Sequence, residues 1–201
     1  MNTVYTRIYE EPPVRREEIL RYLGVKETTK EFLNLVEECL KQAESTLLYK
    51  VCFCEFDIKA NPDEINLGFT RVKSENLKTN LQGCEKIVLF AATVGSGIDR
   101  LISKYSATSP AKALVFQAIG TERVESLCNL FNDEIKSEKL KEGYQIKPRF
   151  SPGYGDLPIE MQRSVVITLD TQRKIGVTLN ESLLMYPTKS VTAIIGLKKR
   201  A

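Results

Sequence analysis

The chain contains no histidine. That absence removes Ser-His-Asp and Cys-His nucleophilic catalysis, histidine-ligated zinc, and the commonest general base near neutral pH. No stretch approaches eighteen apolar residues, and MNTVYTRIYEEPPVRREE at the start has no apolar core. Neither a membrane span nor a secretory signal is therefore expected, and the cytosol is the expected location. No C-x-x-C occurs among Cys39, Cys52, Cys54, Cys84 and Cys128. Five thiols, odd in number, read as reduced side chains packed in a core rather than a disulfide framework. Charge is not concentrated either: 29 basic and 26 acidic residues leave a net +3. Without a basic stripe interleaved with aromatics, nucleic-acid binding has no support, and the terminal LKKR reads as a solvated tail.

What is present describes an ordinary globular chain. At 201 residues, 42% hydrophobic and 27% charged, it suits one domain spanning 1–201 with a real core. PPVRREEILRYLGV predicts a short helix from about Pro13, and TTKEFLNLVEECLKQAESTLL an amphipathic one. YKVCFCEFDI alternates and predicts a strand with Cys52 and Cys54 on one side. After the turn signal Asn61-Pro62-Asp63, EINLGFTRVKS reads as a further strand, and SENLKTNLQGC as a short helix. Ile87 to Ala92 form a continuous apolar run, a buried strand delivering the chain to Gly95-Ser96-Gly97 and the helix GIDRLISKYS. Phosphate-binding loops share that order, but G-x-G-x-x-G and G-K-[ST] are both missing, so a tight strand-to-helix connection is expected.

The longest helical pattern runs from Ser109, a natural N-cap, and Pro110 to Gly143. On it Glu122 and Glu125 stand three apart on one face, where solvated carboxylates are expected. PIEMQRSVVITLD predicts a helix from Pro158, and IGVTL and SVTAIIGL predict strands joined by a polar connection. The fold expected is α+β: a mostly antiparallel sheet with flanking helices in a single domain.

RFSPGYGDLP, residues 149–158, concentrates two of 8 prolines and two of 11 glycines beside an arginine and a tyrosine. Such a stretch is a shaped loop, the kind of segment that carries function. The Arg149 guanidinium matches a carboxylate bidentately, and Tyr154 offers a ring face and a hydroxyl. An amino-acid-like ligand with a carboxylate and a cationic centre fits them. An ordered loop whose arginine pairs with a core acid is the alternative.

Arg149-Phe-Ser-Pro-Gly153-Tyr154 has an R-x-x-x-G-Y form. Further on, Gly176-Val-Thr-Leu-Asn-Glu181-Ser182-Leu-Leu-Met185-Tyr-Pro187-Thr-Lys-Ser190-Val191 has an E-S-x-x-M-x-P-x-x-S-V form. In that order, with a helix between, the pair resembles the S-adenosylmethionine-binding activation domain of cobalamin-dependent methionine synthase, in its small stand-alone version. The resemblance is best from about 110 to 196. It implies that Arg149 holds the methionyl carboxylate and that Ser151, Pro152, Gly153 and Tyr154 line the ligand. Glu181 and Ser182 of the second motif belong to the same site, and a helix glutamate that approaches the ligand maps to Glu125 or to Glu122. The chain departs from the family at Ile194-Ile195-Gly196, where a Tyr-Ser pair is expected, and no N-terminal acidic ligand contact can be placed.

The resemblance further implies S-adenosylmethionine as the cofactor, with its methyl passed to cobalamin and one electron drawn from a flavodoxin-like donor. D-x-H-x-x-G is absent, and imidazole cannot ligate the cobalt. The cobalamin is therefore expected only on a partner: a corrinoid protein, or a methionine synthase lacking this domain. Acting in trans as that activation subunit, a methyltransferase component, is one reading. A non-catalytic S-adenosylmethionine-sensing or scaffold protein docking on a corrinoid protein is the second, and an interaction domain with an empty loop a third.

Overall fold

The computed structural model describes residues 2–25, 27–61 and 63–200. In chain order its elements are β1 (Tyr5–Tyr9), α1 (Arg16–Tyr22), α2 (Lys30–Glu44), β2 (Tyr49–Asp57), β3 (Lys59–Ala60), β4 (Ile65–Asn66), β5 (Arg71–Val72) and α3 (Glu75–Asn80). There follow β6 (Cys84–Thr93), α4 (Gly97–Ser106), α5 (Pro110–Lys141), β7 (Tyr144–Ile146), α6 (Met161–Leu169), α7 (Thr171–Ile175), β8 (Thr178–Leu179), β9 (Met185–Tyr186) and β10 (Ser190–Lys199).

The apolar run of β6 is continuous because that strand is covered on both faces. It lies in the middle of a five-stranded antiparallel sheet ordered β1-β2-β6-β10-β7. Val88, Phe90 and Ala92 join Val51, Phe53, Ala193, Ile195 and Leu197 against α1, α2, α4 and α5. Ile87, Leu89 and Ala91 join Cys52, Cys54 and Ile194 against α3, α6 and α7 on the opposite face. Helices thus flank an antiparallel sheet in one α+β domain, as the sequence predicts. Cys52 and Cys54 do share a side, and all five cysteines are free thiols, four of them buried. Burial pushes the Cys52 and Cys128 thiols up to about 12, far from the reactive thiolate form.

Several local expectations are corrected. The first helix begins at Arg16, not Pro13, because the Pro12 and Pro13 carbonyls accept from the Arg123 guanidinium at 2.6 and 2.8 Å. Ser109 precedes α5 without a side-chain cap, although Pro110 does occupy its first turn. EINLGFTRVKS forms not one strand but the two-residue β4 and β5, which with β3 make a small separate sheet. Pro62 in the turn signal before it lies outside the described residues. The α6 helix starts at Met161, after single-turn hydrogen bonds from Met161 N to Pro158 O and from Gln162 N to Ile159 O. The LKKR end is only partly a tail: Leu197 is fully buried, and Lys198 and Lys199 continue β10. β1 has no counterpart in the expected elements. The glycine connection after β6 is a packing device. A Cβ on Gly97 would land on the Thr46 carbonyl, and Gly95 has φ +79°.

Glu122 is the largest correction. It is fully buried, not solvated, and Arg123 beside it is fully buried too. Glu122 accepts from Arg123 Nε at 2.6 Å and Nη2 at 2.8 Å, from Ser126 Oγ at 2.6 Å and from Arg15 N at 3.2 Å. Burial opposes the Arg123 charge, but the hydrogen bonds to Glu122 hold its pKa above the ordinary value. The pair ties the N-terminal segment to the middle of α5. Removing one member of such a buried pair leaves the other uncompensated. Arg123→Met should therefore lower the unfolding free energy by about 3–5 kcal/mol in urea titration. A loss under about 1 kcal/mol would show that the pair is not what holds the N-terminal segment down.

Candidate functional site

Lys147 N donates to Gly196 O at 2.8 Å, and Phe150 and Ile194 exchange N–H···O bonds at 2.8 and 2.9 Å. The segment after β7 thus runs beside β10 as far as Phe150. One more step of that register would set residue 152 opposite Thr192, and residue 152 is Pro152. Proline has no N–H to continue a ladder, and the chain turns away there. The turn is closed by Gly153 N to Leu157 O (2.9 Å), Tyr154 N to Ser151 O (3.1 Å) and Leu157 N to Tyr154 O (3.1 Å). Gly153 has φ +83° and Gly155 φ +57°, both in the left-handed region that favours glycine.

Asp156 fastens this loop to α3. Its carboxylate accepts from the Ser74 hydroxyl, from Glu75 N at 2.7 Å and from Asn76 N at 3.2 Å. Those bonds, the Ser74 hydroxyl first, hold the Asp156 carboxyl below its ordinary range. On the far side, β8 and β9 pair as a hairpin whose turn closes through Leu183 N to Asn180 O and Asn180 N to Leu184 O, both 3.0 Å.

Between the loop and the hairpin lies a cleft of about 440 Å³, a volume suited to a small molecule. Ser151, Pro152, Ile159, Gln162, Leu183, Leu184, Met185, Thr188, Ser190, Val191 and Thr192 line it. Its walls are mostly apolar. The floor is polar: Ser190 Oγ donates to Pro187 O at 2.7 Å, and Thr192 Oγ1 donates to Gln162 Oε1 at 3.3 Å. A hollow of about 800 Å³ beside β1 is larger, and the charges at its centre are already paired. There Arg7 bonds Glu134 at 3.0 Å and Glu138 at 2.8 Å, and Tyr9 donates to Glu134 at 2.6 Å.

The sequence-predicted residues divide among several places. Ser151 and Pro152 line the cleft. Arg149 and Glu125 meet: Arg149 Nη2 lies 3.3 Å from Glu125 and 3.0 Å from Asn129 Oδ1, one turn further along α5. Gly153 shapes the loop, and Tyr154, 70% exposed, stands at its tip, edge-on to Phe150. Glu181 and Ser182 are exposed at the hairpin turn, where the Glu181 carbonyl accepts from Arg163 at 3.5 Å. Glu122 is remote from this grouping, inside its own pair. Ile194 and Ile195 are fully buried on opposite faces of the sheet and add no polar side chain to the cleft. Among the described residues no cluster of three Cys, Asp or Glu could hold a metal ion, and no helix is long and apolar enough to cross a membrane. Sequence reasoning missed Gln162, Thr188 and Thr192. Thr188 stands at an unspecified position inside the second motif and Thr192 directly after it, while Gln162 follows the first.

The Asp156 tether has a pH signature. A carboxyl whose folded pKa is depressed contributes stability above its unfolded value, about 4, and loses it as pH falls through the folded value. The melting-temperature gap between wild type and Asp156→Asn should be full above about pH 5 and shrink below about pH 4. A gap that is constant with pH would mean the carboxylate charge takes no part.

Comparison with known proteins agrees with the motif pair. A scan of protein families matches residues 70–201 to vitamin B12 dependent methionine synthase, activation domain. No curated protein matches the chain in sequence. Among solved structures, the crystal structure of the MetH reactivation domain bound to AdoHcy is similar, with a TM-score of 0.72 at 16% identity. The match covers 96% of this chain and 78% of that one, and at such identity it establishes the fold. With about two thirds of its length inside the family match, the chain belongs to the vitamin B12 dependent methionine synthase activation domain family.

Proposed function

We propose that this chain binds S-adenosylmethionine in the cleft between the 149–158 loop and the β8–β9 hairpin and presents its methyl to a corrinoid on a partner protein. One observation carries the reading. The two motif segments, separated in sequence by α6 and α7, form the two walls of one cleft of about 440 Å³. A solved relative in fold is described with AdoHcy, the compound S-adenosylmethionine becomes on losing its methyl.

The residues present fit such a ligand. Arg149 and Glu125, in contact with each other just outside the residues that line the cleft, would supply a fork for the carboxylate and an acceptor for the ammonium. Leu183, Leu184, Met185 and Pro152 surround the remainder with apolar surface. None of these groups needs to act as acid or base. The sulfonium is already a good leaving group, and what the chain contributes is position and exclusion of water. The corrinoid would supply the nucleophile. A chain without histidine offers no imidazole for its cobalt, so we place that cofactor on a methionine synthase lacking this domain or another corrinoid protein. Ile159 and Leu184, exposed at the cleft, with the exposed Tyr154 on the same loop and Tyr186 on the same hairpin, would give that partner an apolar contact surface. The electron would come from a flavodoxin-like donor.

The buried Ile194 and Ile195 favour a second reading, a sensor or scaffold that binds the ligand without transferring methyl. Reactivation of a separately supplied cob(II)alamin-loaded methionine synthase core, with reductant and S-adenosylmethionine, separates the two. Activity that depends on this chain supports in-trans activation, and ligand binding without it supports the sensor.

Calorimetry tests the residues. Arg149→Ala should weaken S-adenosylmethionine binding by about 1.5–3 kcal/mol, as expected for a charge-assisted contact. Glu125→Gln should weaken binding with little change in stability, whereas Glu122→Gln should destabilise the fold and leave the affinity of the folded fraction unchanged. The opposite pattern would exchange the roles of the two glutamates.

A further inference from the structure

Gln162 is 4% exposed, yet it lines the cleft. Its Oε1 accepts from Thr192, while its Nε2 has no hydrogen-bond partner among the described residues. That amide nitrogen is not sealed away, since among the described residues the only buried side-chain polar atom without a partner is Asn80 Oδ1. A buried amide that keeps one end fixed and its donor end open to a cavity is placed to be satisfied by what enters.

The backbone adds a second pair of groups. Ile194 and Gly196 both direct hydrogen-bonding groups to the β7 side of β10. Pairing with β6 runs without a register shift from Ser190 to Leu197. Alternation along an antiparallel strand then directs Thr192 N–H and C=O to the same side. There Pro152 leaves the ladder unfilled. Gln162 and Thr192 thus offer neutral donors and an acceptor on the α6 side of the sheet. Arg149 and Glu125 sit on the α5 side, and Val191, from that side, also lines the cleft.

We infer that Gln162 reads the nucleoside half of the ligand. The ligand crosses the open edge of β10 with its amino-acid end toward α5 and its nucleoside end over Gln162 and Thr192. The inference rests on the S-adenosylmethionine reading and adds a division of labour to it. Neutral donors suit the ring nitrogens and ribose oxygens of a nucleoside, which carry no charge, and the charged pair suits the zwitterion.

The test titrates the whole chain with S-adenosylmethionine and with 5′-methylthioadenosine, which keeps the nucleoside and lacks the amino acid. Gln162→Glu preserves the acceptor for Thr192 and removes both donors. Gln162→Met is a second variant of similar volume, and melting temperatures report whether each is folded. Both should bind both ligands at least tenfold more weakly. Arg149→Ala should weaken S-adenosylmethionine alone and leave methylthioadenosine within twofold. Glutamine variants that bind methylthioadenosine within twofold of wild type would overturn the inference and leave the reading standing. So would a wild type that binds S-adenosylmethionine but not methylthioadenosine. A wild type that binds neither would overturn the reading itself.

Discussion

The architecture of this chain turns on the unequal edges of β10. One edge pairs with β6 from Ser190 to Lys198. The other is filled by β7 at Leu197 to Lys199, by Lys147 at Gly196 and by Phe150 at Ile194. The strand is thus anchored along one side, buried on both faces, and bare over a short stretch of its second edge. An open edge exposes unpaired peptide groups and is ordinarily a liability. Here the bare stretch is covered by the 149–158 loop and the β8–β9 hairpin, and the space under that cover is the cleft. Pro152 is the residue that separates pairing from opening.

Around that edge the rest of the molecule serves to hold two loops apart. Asp156 ties one to the start of α3, which packs on the sheet through Leu77 and Leu81. On the opposite side Thr188 N and its hydroxyl donate to Asp99 on α4. Lys189 Nζ reaches Thr121 on α5 at 2.9 Å, and burial lowers its pKa. Both walls are therefore referred to helices packed on the sheet, and neither depends on the other. On the proposed function this is the support the site would require, because small displacements cost rate when catalysis is mainly placement.

The sequence is readable wherever periodicity and burial coincide. The β6 run and the alternation in β2 follow from faces covered or shared, and α2 and α5 from long stripes of apolar side chains. Short elements are read poorly because two or three residues carry no period: β3, β7 and β9 escape, and β4, β5 and β8 are expected only as parts of longer strands. The first motif could be found because proline and glycine act locally. Gln162 could not, since a glutamine near the start of an amphipathic helix is ordinary, and only the folded chain shows its donor end open to a cavity. Glu122 and Glu125 mark the limit most clearly. Three positions on a helix differ by about 60°, enough to put one carboxylate in the core and the other at its margin.

That difference has an energetic meaning for α5. Glu122 and Arg123 are both fully buried, so separating them would leave a charge with neither water nor partner, a loss that only unfolding relieves. Glu125 and Arg149 are 37% and 24% exposed and 3.3 Å apart. A pair that wet contributes no more than about 1 kcal/mol, and water or another charged group can replace either member at little cost. On the proposed function, a ligand bearing both a carboxylate and an ammonium would enter between them, each of its charges taking the place of a side chain's former partner. One helix thus carries one ion pair too costly to open and another inexpensive enough to exchange, and the exchangeable one stands beside the bare edge of β10.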